Sequence, residues 1–311
     1  MVRKLSPTLI FQLTIPPFMW ACNAVVGRML VGLVPPLMLN FLRWALVLMV
    51  LLLLGWHVFN TAAKRKALWQ RRWPLAWLGL LGVGAYNALQ YVALNTSSPL
   101  NVTLIAASSP VWMLLVGWVF YGIAPRAAQL LGALFSVLGV VMVLTQGHIM
   151  AAAQMEFVQG DLFMLAAAIS WAFYSWILAR PSQAIQQTLP RVGEDWAGFL
   201  LVQTLFGVVW AGMAASAEWV WLGQQTPQWS IAVVGAIVFI AIGPSLLAYR
   251  YWGEGVAQVG PTIAAFFSNL TPLFAALLQT TLLHKPPQWH HAVAFVLIVL
   301  GIVVSAWRQK R

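Results

Sequence analysis

Six Asp and Glu side chains and seventeen Lys and Arg carry all the fixed charge of 311 residues. Any of them inside an apolar run is a candidate for chemistry. Asp161 opens one such run, where it can serve a helix N-terminus or hold a proton. Arg250 and Glu254 are four apart, the spacing of a helical ion pair, and Glu254 is the second acid a proton could visit. Asp161 and Glu254 are therefore the two coupling candidates. Arg43 lies roughly two turns into an apolar run, where its charge would cost at least about 2.5 kcal/mol in lipid. No acid precedes Glu156, so Arg43 is expected to snorkel to the interface or to bind helix-end carbonyls, with binding of an anionic substrate as the alternative.

Uncharged polar groups are more numerous. Asn23, Asn87, Gln90, Tyr91, Ser109, Tyr174, Gln203, Ser268, Asn269 and Thr271 fall inside apolar runs. Left unpaired there, each costs about 1–3 kcal/mol, so each needs a neighbour, water or a solute. Asn87, Gln90 and Tyr91 are spaced three and four apart and share one helix face. Pro110 and Pro272 stand in mid-run, and each frees the carbonyl four residues back, at Ala106 and Ser268. Pro16-Pro17 is expected to interrupt the first run, and Gly82, Gly84 and Gly243-Pro244 weaken two others. Trp20, Trp171, Tyr249 and Tyr251 would wall a cavity suited to apolar or cationic groups. The residues expected to line a solute path are Trp20, Asn23, Asn87, Gln90, Tyr91, Ser109, Pro110, Trp171, Tyr174, Gln203, Tyr251, Ser268, Asn269, Thr271 and Pro272. The alternative for each is ordinary interhelical hydrogen bonding.

Other chemistries lack their residues. The five histidines, at 57, 148, 284, 290 and 291, fall at run ends or in loops without an acidic cluster, so no metal centre is expected. There is no phosphate-cradling glycine loop and no nucleophile beside a base. No cofactor and no catalytic residue are expected.

The elements that must position these residues follow from composition. The chain is 61% hydrophobic and 7% charged, whereas soluble domains are about half apolar and one quarter charged. Disorder is excluded by the same contrast. The reading is an all-α polytopic membrane protein. Its net charge of +11 is then a topology signal, not a nucleic-acid surface. Cys22, alone, can form no intramolecular disulfide. Residues 8–28 lack a small-residue cleavage site and read as a retained span.

Ten spans are expected, near 8–28, 36–56, 73–95, 99–121, 126–145, 160–180, 195–216, 229–251, 258–283 and 288–307. With the N-terminus in the cytoplasm, fourteen of the seventeen cations fall inside: Arg3, Lys4, Lys64, Arg65, Lys66, Arg71, Arg72, Arg126, Arg180, Arg191, Arg250, Arg308, Lys310 and Arg311. Arg28 and Lys285 fall outside, and Arg43 lies within a span. This bias places both termini in the cytoplasm. Trp56, Trp73, Trp219, Trp229, Trp289 and Trp307 read as interfacial anchors.

Residues 99–144 align without gaps on 261–306 at an offset of 162: Pro99 meets Pro261, Pro110 meets Pro272, Pro125 meets Pro287 and Gly139 meets Gly301. Trp20-Ala21-Cys22-Asn23 corresponds to Trp171-Ala172-Phe173-Tyr174. The chain thus reads as two five-helix repeats, 1–147 and 148–311. Five is odd, so the second repeat enters the membrane inverted, an arrangement that suits alternating access.

In this order of features the sequence resembles the EamA-type transporters of the drug/metabolite transporter superfamily. The resemblance rests on the Trp20 region with Gly27-Arg28, on Pro35-Pro36 with Phe41-Leu42-Arg43, and on the Ser-Pro and Thr-Pro helices with their trailing glycines. The Gly-Glu-Arg-like turns common in that family are replaced here by Gly122-Ile123-Ala124-Pro125 and His284-Lys285-Pro286-Pro287. The resemblance implies a carrier of small metabolites, often an exporter of amino acids or toxic compounds, in a bacterial inner membrane. The expectation is a secondary transporter without a central carboxylate relay: a facilitator, or a carrier weakly coupled through Asp161 or Glu254. A channel, a receptor and a membrane enzyme are the alternatives. The expected partners are a small-molecule substrate and membrane lipid, with no nucleic acid. The small-residue ridge Ala128, Gly132, Ser136 would serve either an internal contact or a homodimer.

Overall fold

In lipid, a backbone must satisfy its own donors, and for a long apolar run that means a helix. The computed structural model is helical accordingly. It describes residues 6–93, 96–97, 99–148, 150, 156–221, 223, 226–282 and 288–306, with no strand among them. Arg3, Lys4, His284, Lys285, Pro287, Trp307, Arg308, Lys310 and Arg311 lie outside the described residues.

The helices are α1 (Pro7–Met29), α2 (Pro36–Gly55, continued by a 3-10 turn Trp56–Phe59), α3 (Ala62–Gln70), α4 (Arg72–Gly79), α5 (Tyr86–Ala93), α6 (Pro99–Ala107), α7 (Ser109–Tyr121) and α8 (Ala127–Leu144). There follow α9 (Gln159–Ala179), α10 (Gln183–Gln186), α11 (Trp196–Trp221), α12 (Ile231–Ile240), α13 (Ala248–Val259), α14 (Pro261–Ser268), α15 (Leu270–Leu282) and α16 (Trp289–Ala306). Widened π-helical turns, Leu80–Ala85 and Ala241–Leu247, join α4 to α5 and α12 to α13. Among the described residues, eight helices are long and apolar enough to cross a membrane, nine when α6 and α7, bent by 43°, count as one. The stretch from α4 to α5, which carries Asn87 and Gln90, is not in that set.

Several boundaries differ from the sequence expectation. Pro16 and Pro17 do not interrupt α1, which runs through both. The run expected to end at 251 continues helically through Trp252-Gly253-Glu254-Gly255 to Val259 and stops at Gly260, whose φ of 83° favours glycine, followed by Pro261. The connection 57–72 holds the short helix α3. The small-residue ridge on α8 is used internally. A Cβ on Gly132 would stand 2.7 Å from the Gly301 carbonyl oxygen of α16, and Ser136 is fully buried.

That seam runs antiparallel. Gly132 meets Gly301 and Ser305, while Gly139 meets Ala294 and Ile298. The offset of 162 turns the Gly132–Gly301 contact into Ala294–Gly139, which is also present. The rest of the packing follows the same exchange. α2 lies against α11, α1 against α13 and α15, and α9 against α5 and α7. One end departs from it. α13 and α14 pack against each other, α9 against α13, and α7 against α14. The corresponding pairs at the other end (α5 with α6, α1 with α5, α6 with α15) are not closely packed among the described residues. Among the described residues, the bundle is closed at the α13–α14 end and splayed at the α5–α6 end.

Glu218, near the end of α11, fixes the start of α2: its two carboxylate oxygens accept from the backbone N–H of Leu37 (3.1 Å) and Met38 (2.9 Å). Negative charge there meets unpaired donors and the positive end of the helix dipole. Glu218→Ala is expected to cost about 1–2 kcal/mol, read by thermal unfolding in detergent.

Candidate functional site

The proline breaks are repaired by side chains. Ser109 Oγ donates to the Ala106 carbonyl at 2.5 Å, the group that Pro110 leaves without a donor. Asn269, 1% exposed, donates to the next carbonyl, Ala107 (3.1 Å), and to Ser136 Oγ (2.8 Å). Ser268 Oγ donates to Ala265 O at 2.7 Å. Ser109, Ser268 and Asn269 thus hold the breaks and tie α6 to α8 and α14. Pro110 and Pro272 are buried, and Thr271 is half-buried.

The π-helical turn at Leu80–Ala85 is anchored from three helices. Leu81 O accepts from Ser170 Oγ (3.1 Å), Gly82 O from the Tyr249 hydroxyl (2.6 Å) and Val83 O from Asn40 Nδ2 (3.4 Å). Gly82 has to be glycine, because a Cβ would stand 2.5 Å from the Tyr174 ring. A π turn exposes backbone carbonyls to neighbours, and here those neighbours are the polar groups of the bundle centre.

Around that turn the aromatic candidates gather on one ring. Trp171 of α9 meets Trp20 (5.4 Å between centroids), Tyr86 (5.1 Å), Tyr174 (5.1 Å), Tyr249 (5.5 Å) and Trp252 (5.3 Å). Trp20 also meets Trp252, and Trp44 meets Tyr249 edge-on at 4.7 Å. The rings come from α1, α2, α5, α9 and α13. Tyr174 and Gln203, both fully buried, bond to one another, Tyr174 OH to Gln203 Oε1 at 3.2 Å. Asn87 Nδ2 donates to the Tyr249 hydroxyl at 3.5 Å.

Of the polar face on α5, Gln90 and Tyr91 are half-buried. Asn23, one turn after Trp20, has a buried Oδ1 without a hydrogen-bond partner. These residues lie toward the splayed end. Tyr251 is not in the aromatic cluster: it sits beside Arg250, whose guanidinium lies 5.4 Å from its ring and 4.4 Å from the Trp196 ring. Tyr249, two residues earlier and on the inward face, takes its place.

Both coupling candidates are held by protein groups. Asp161, 1% exposed, accepts from Ser97 Oγ, Asn101 Nδ2 (3.0 Å) and the Val158 N–H (2.9 Å). Glu254 pairs with Arg250 at 3.1 Å. Among the described residues no group of His, Cys, Asp and Glu could hold a metal ion.

Arg43 departs from the placement first expected of it. It does not snorkel and binds no helix-end carbonyl. It is 2% exposed, and its Nε and Nη1 are buried without a hydrogen-bond partner. Its guanidinium carbon lies 5.5 Å from the Trp44 ring, which in turn meets the Tyr249 ring edge-on. The sequence signal was the lack of any acid before Glu156, which was read as a reason for Arg43 to leave the interior.

A multi-pass helical bundle with aromatic rings and unpartnered polar atoms at its centre is the build of an integral membrane protein that handles a solute. The model of the EamA-like transporter family matches residues 8–145 and 158–307, and the chain belongs to that family. It is a membrane transporter. It is 26% identical over 266 residues to the uncharacterized transporter YyaM of Bacillus subtilis (85% of this chain, 82% of the relative). It is 24% identical over 239 residues to the aromatic amino acid exporter YddG of Ancylobacter novellus (77% and 78%). It is 24% identical over 289 residues to the inner membrane transporter YedA of Escherichia coli K12 (92% and 86%). A solved crystal structure matches the fold with a TM-score of 0.73 at 22% identity, covering 96% of this chain and 97% of that one.

Proposed function

We propose that the chain is a secondary transporter that exports small organic metabolites by alternating access, and that its substrates are amino acids or related compounds with an aromatic or apolar body. The observation that carries this reading is the Trp171 cluster, at the bundle centre and flanked by Asn23, Gln90 and Tyr91 toward the splayed end. A relative named as an aromatic amino acid exporter supports the substrate class and the direction. Relatives named as transporters favour transport over catalysis.

In this reading the stretch from Arg72 to Ala93 is the third of ten spans, made less apolar by the polar face it turns inward. Residues 1–147 and 148–311 form two inverted repeats. The exchange of contacts at an offset of 162 and the antiparallel α8–α16 seam support this. Both termini are cytoplasmic, and the membrane is the bacterial inner membrane. The splayed end then faces outward and the packed end of α7, α13 and α14 closes the cytoplasmic side.

The test is counterflow in vesicles. Saturable exchange of labelled L-phenylalanine, accelerated by unlabelled substrate inside, is the expected result. Binding without flux would indicate a receptor, and flux without saturation a channel. Since Asp161 and Glu254 already have partners, transport is expected not to require a pH gradient. Asp161→Asn places an amide against three donors and is expected to cost about 1–3 kcal/mol of stability. The residual flux should keep the pH dependence of the native chain. Flux strictly tied to a proton gradient and lost in that variant would make Asp161 the coupling site.

A further inference from the structure

Arg43 carries a charge that the chain does not neutralise. The guanidinium is buried in the bundle and its Nε and Nη1 have no partner. A buried cation in this state is strongly unfavourable unless paired. All six acids of the chain are described, and none serves it. Glu156 is exposed at the surface. Asp161 is bound by Ser97, Asn101 and Val158. Glu194 accepts from the Arg191 N–H. Asp195 faces His57 and the Gly198 N–H. Glu218 caps α2, and Glu254 pairs with Arg250. No Asp or Glu side chain of the protein supplies its counter-charge.

The surroundings of Arg43 fit one kind of visitor. Trp44, over whose ring the Arg43 guanidinium lies, packs against Tyr249, and Tyr249 packs against Trp171, the hub of the aromatic cluster. Trp44, next to Arg43, presents a buried indole N–H without a partner. Arginine offers two parallel donors that match the two oxygens of a carboxylate. We infer that Arg43 binds the carboxylate of the transported molecule, while the rings around Trp171 receive its apolar or aromatic body. This inference rests on the transporter reading for its physiological meaning. The anion site itself is tested independently of flux.

The experiment uses the purified full-length chain in detergent, with phenylacetate as probe and phenylacetamide as its uncharged isostere. Phenylacetate is expected to raise the melting temperature of the native chain and phenylacetamide to have little effect. Arg43→Gln is expected to abolish that difference, with phenylacetate binding weakened about tenfold or more. Without ligand, Arg43→Gln should melt no lower than the native chain, because it removes an unpaired buried charge. A purely structural arginine would lower it. Arg43→Lys keeps the charge but loses the fork, and should bind phenylacetate with intermediate strength. Equal response of the native chain to both probes would overturn the inference, as would a carboxylate preference that survives in Arg43→Gln. If Arg43→Gln does not fold, the native and Arg43→Lys comparisons decide. Carboxylate binding without flux in vesicles would leave the Arg43 site standing and remove the transporter reading. Flux indifferent to the carboxylate would do the reverse.

Discussion

Trp171→Ala is expected to abolish transport and to lower stability by about 3–5 kcal/mol, the range for emptying a buried tryptophan site. Trp171 is 4% exposed and its ring touches five other aromatic rings drawn from four helices. Each such pair is worth about 0.5–1.5 kcal/mol beyond burial. Its removal would also loosen Tyr174 and Tyr249, which hold Gln203 and the Gly82 carbonyl. Trp171→Phe keeps a ring in the same place and should cost much less. Thermal unfolding and counterflow on the two variants separate the effects. A Trp171→Ala protein that melts and transports like the native chain would refute the central role of the cluster.

Gly132→Val is expected to be nearly as disruptive, and Gly301→Val to match it. A Cβ on either residue would lie 2.7 Å from the other's carbonyl oxygen. Backbone cannot swing aside as a flexible side chain can, so the α8–α16 seam must separate along its length. Overpacking of this kind costs about 1–3 kcal/mol even where neighbours can adjust. Here Ser136 is fully buried in the seam, and its Oγ accepts from Asn269. Opening the seam would therefore also disturb the break between α14 and α15. By contrast, Gly235→Val on α12, where a Cβ would meet nothing within 4 Å, should be tolerated. Melting temperatures of the three variants check this ranking.

Much of this architecture can be read from residue order. The apolar runs end at charge and proline, and the prolines at 110 and 272 do mark breaks, because a missing donor acts locally. Trp20, Trp171, Tyr174 and Gln203 do come together, since apolar and weakly polar groups have nowhere else to go in a bundle core. What local reasoning loses is direction around a helix axis and partnership between distant helices. It favoured Tyr251 over Tyr249, two positions apart. It could not tell that Ser109 serves the Ala106 carbonyl freed by Pro110, or that Asn269 serves the neighbouring Ala107 carbonyl. It treated Pro16-Pro17 as an interruption, although α1 continues through both. It missed the cap that Glu218 gives to α2 across 180 residues of chain. It moved Arg43 to the interface because an unpaired interior charge is unfavourable, whereas that unfavourable charge is the feature that points to a ligand.

The most direct test of the account is sidedness of access to the hollow. In a Cys22→Ala background, Gln90→Cys stands at the splayed end and Ala264→Cys inside the packed end of α14. A membrane-impermeant maleimide applied to oriented vesicles should modify Gln90→Cys from the outer face alone, and Ala264→Cys only from the cytoplasmic face, as the packed end opens during turnover. Modification of Gln90→Cys from the cytoplasmic face would contradict the two inverted halves and the outward-open hollow between them.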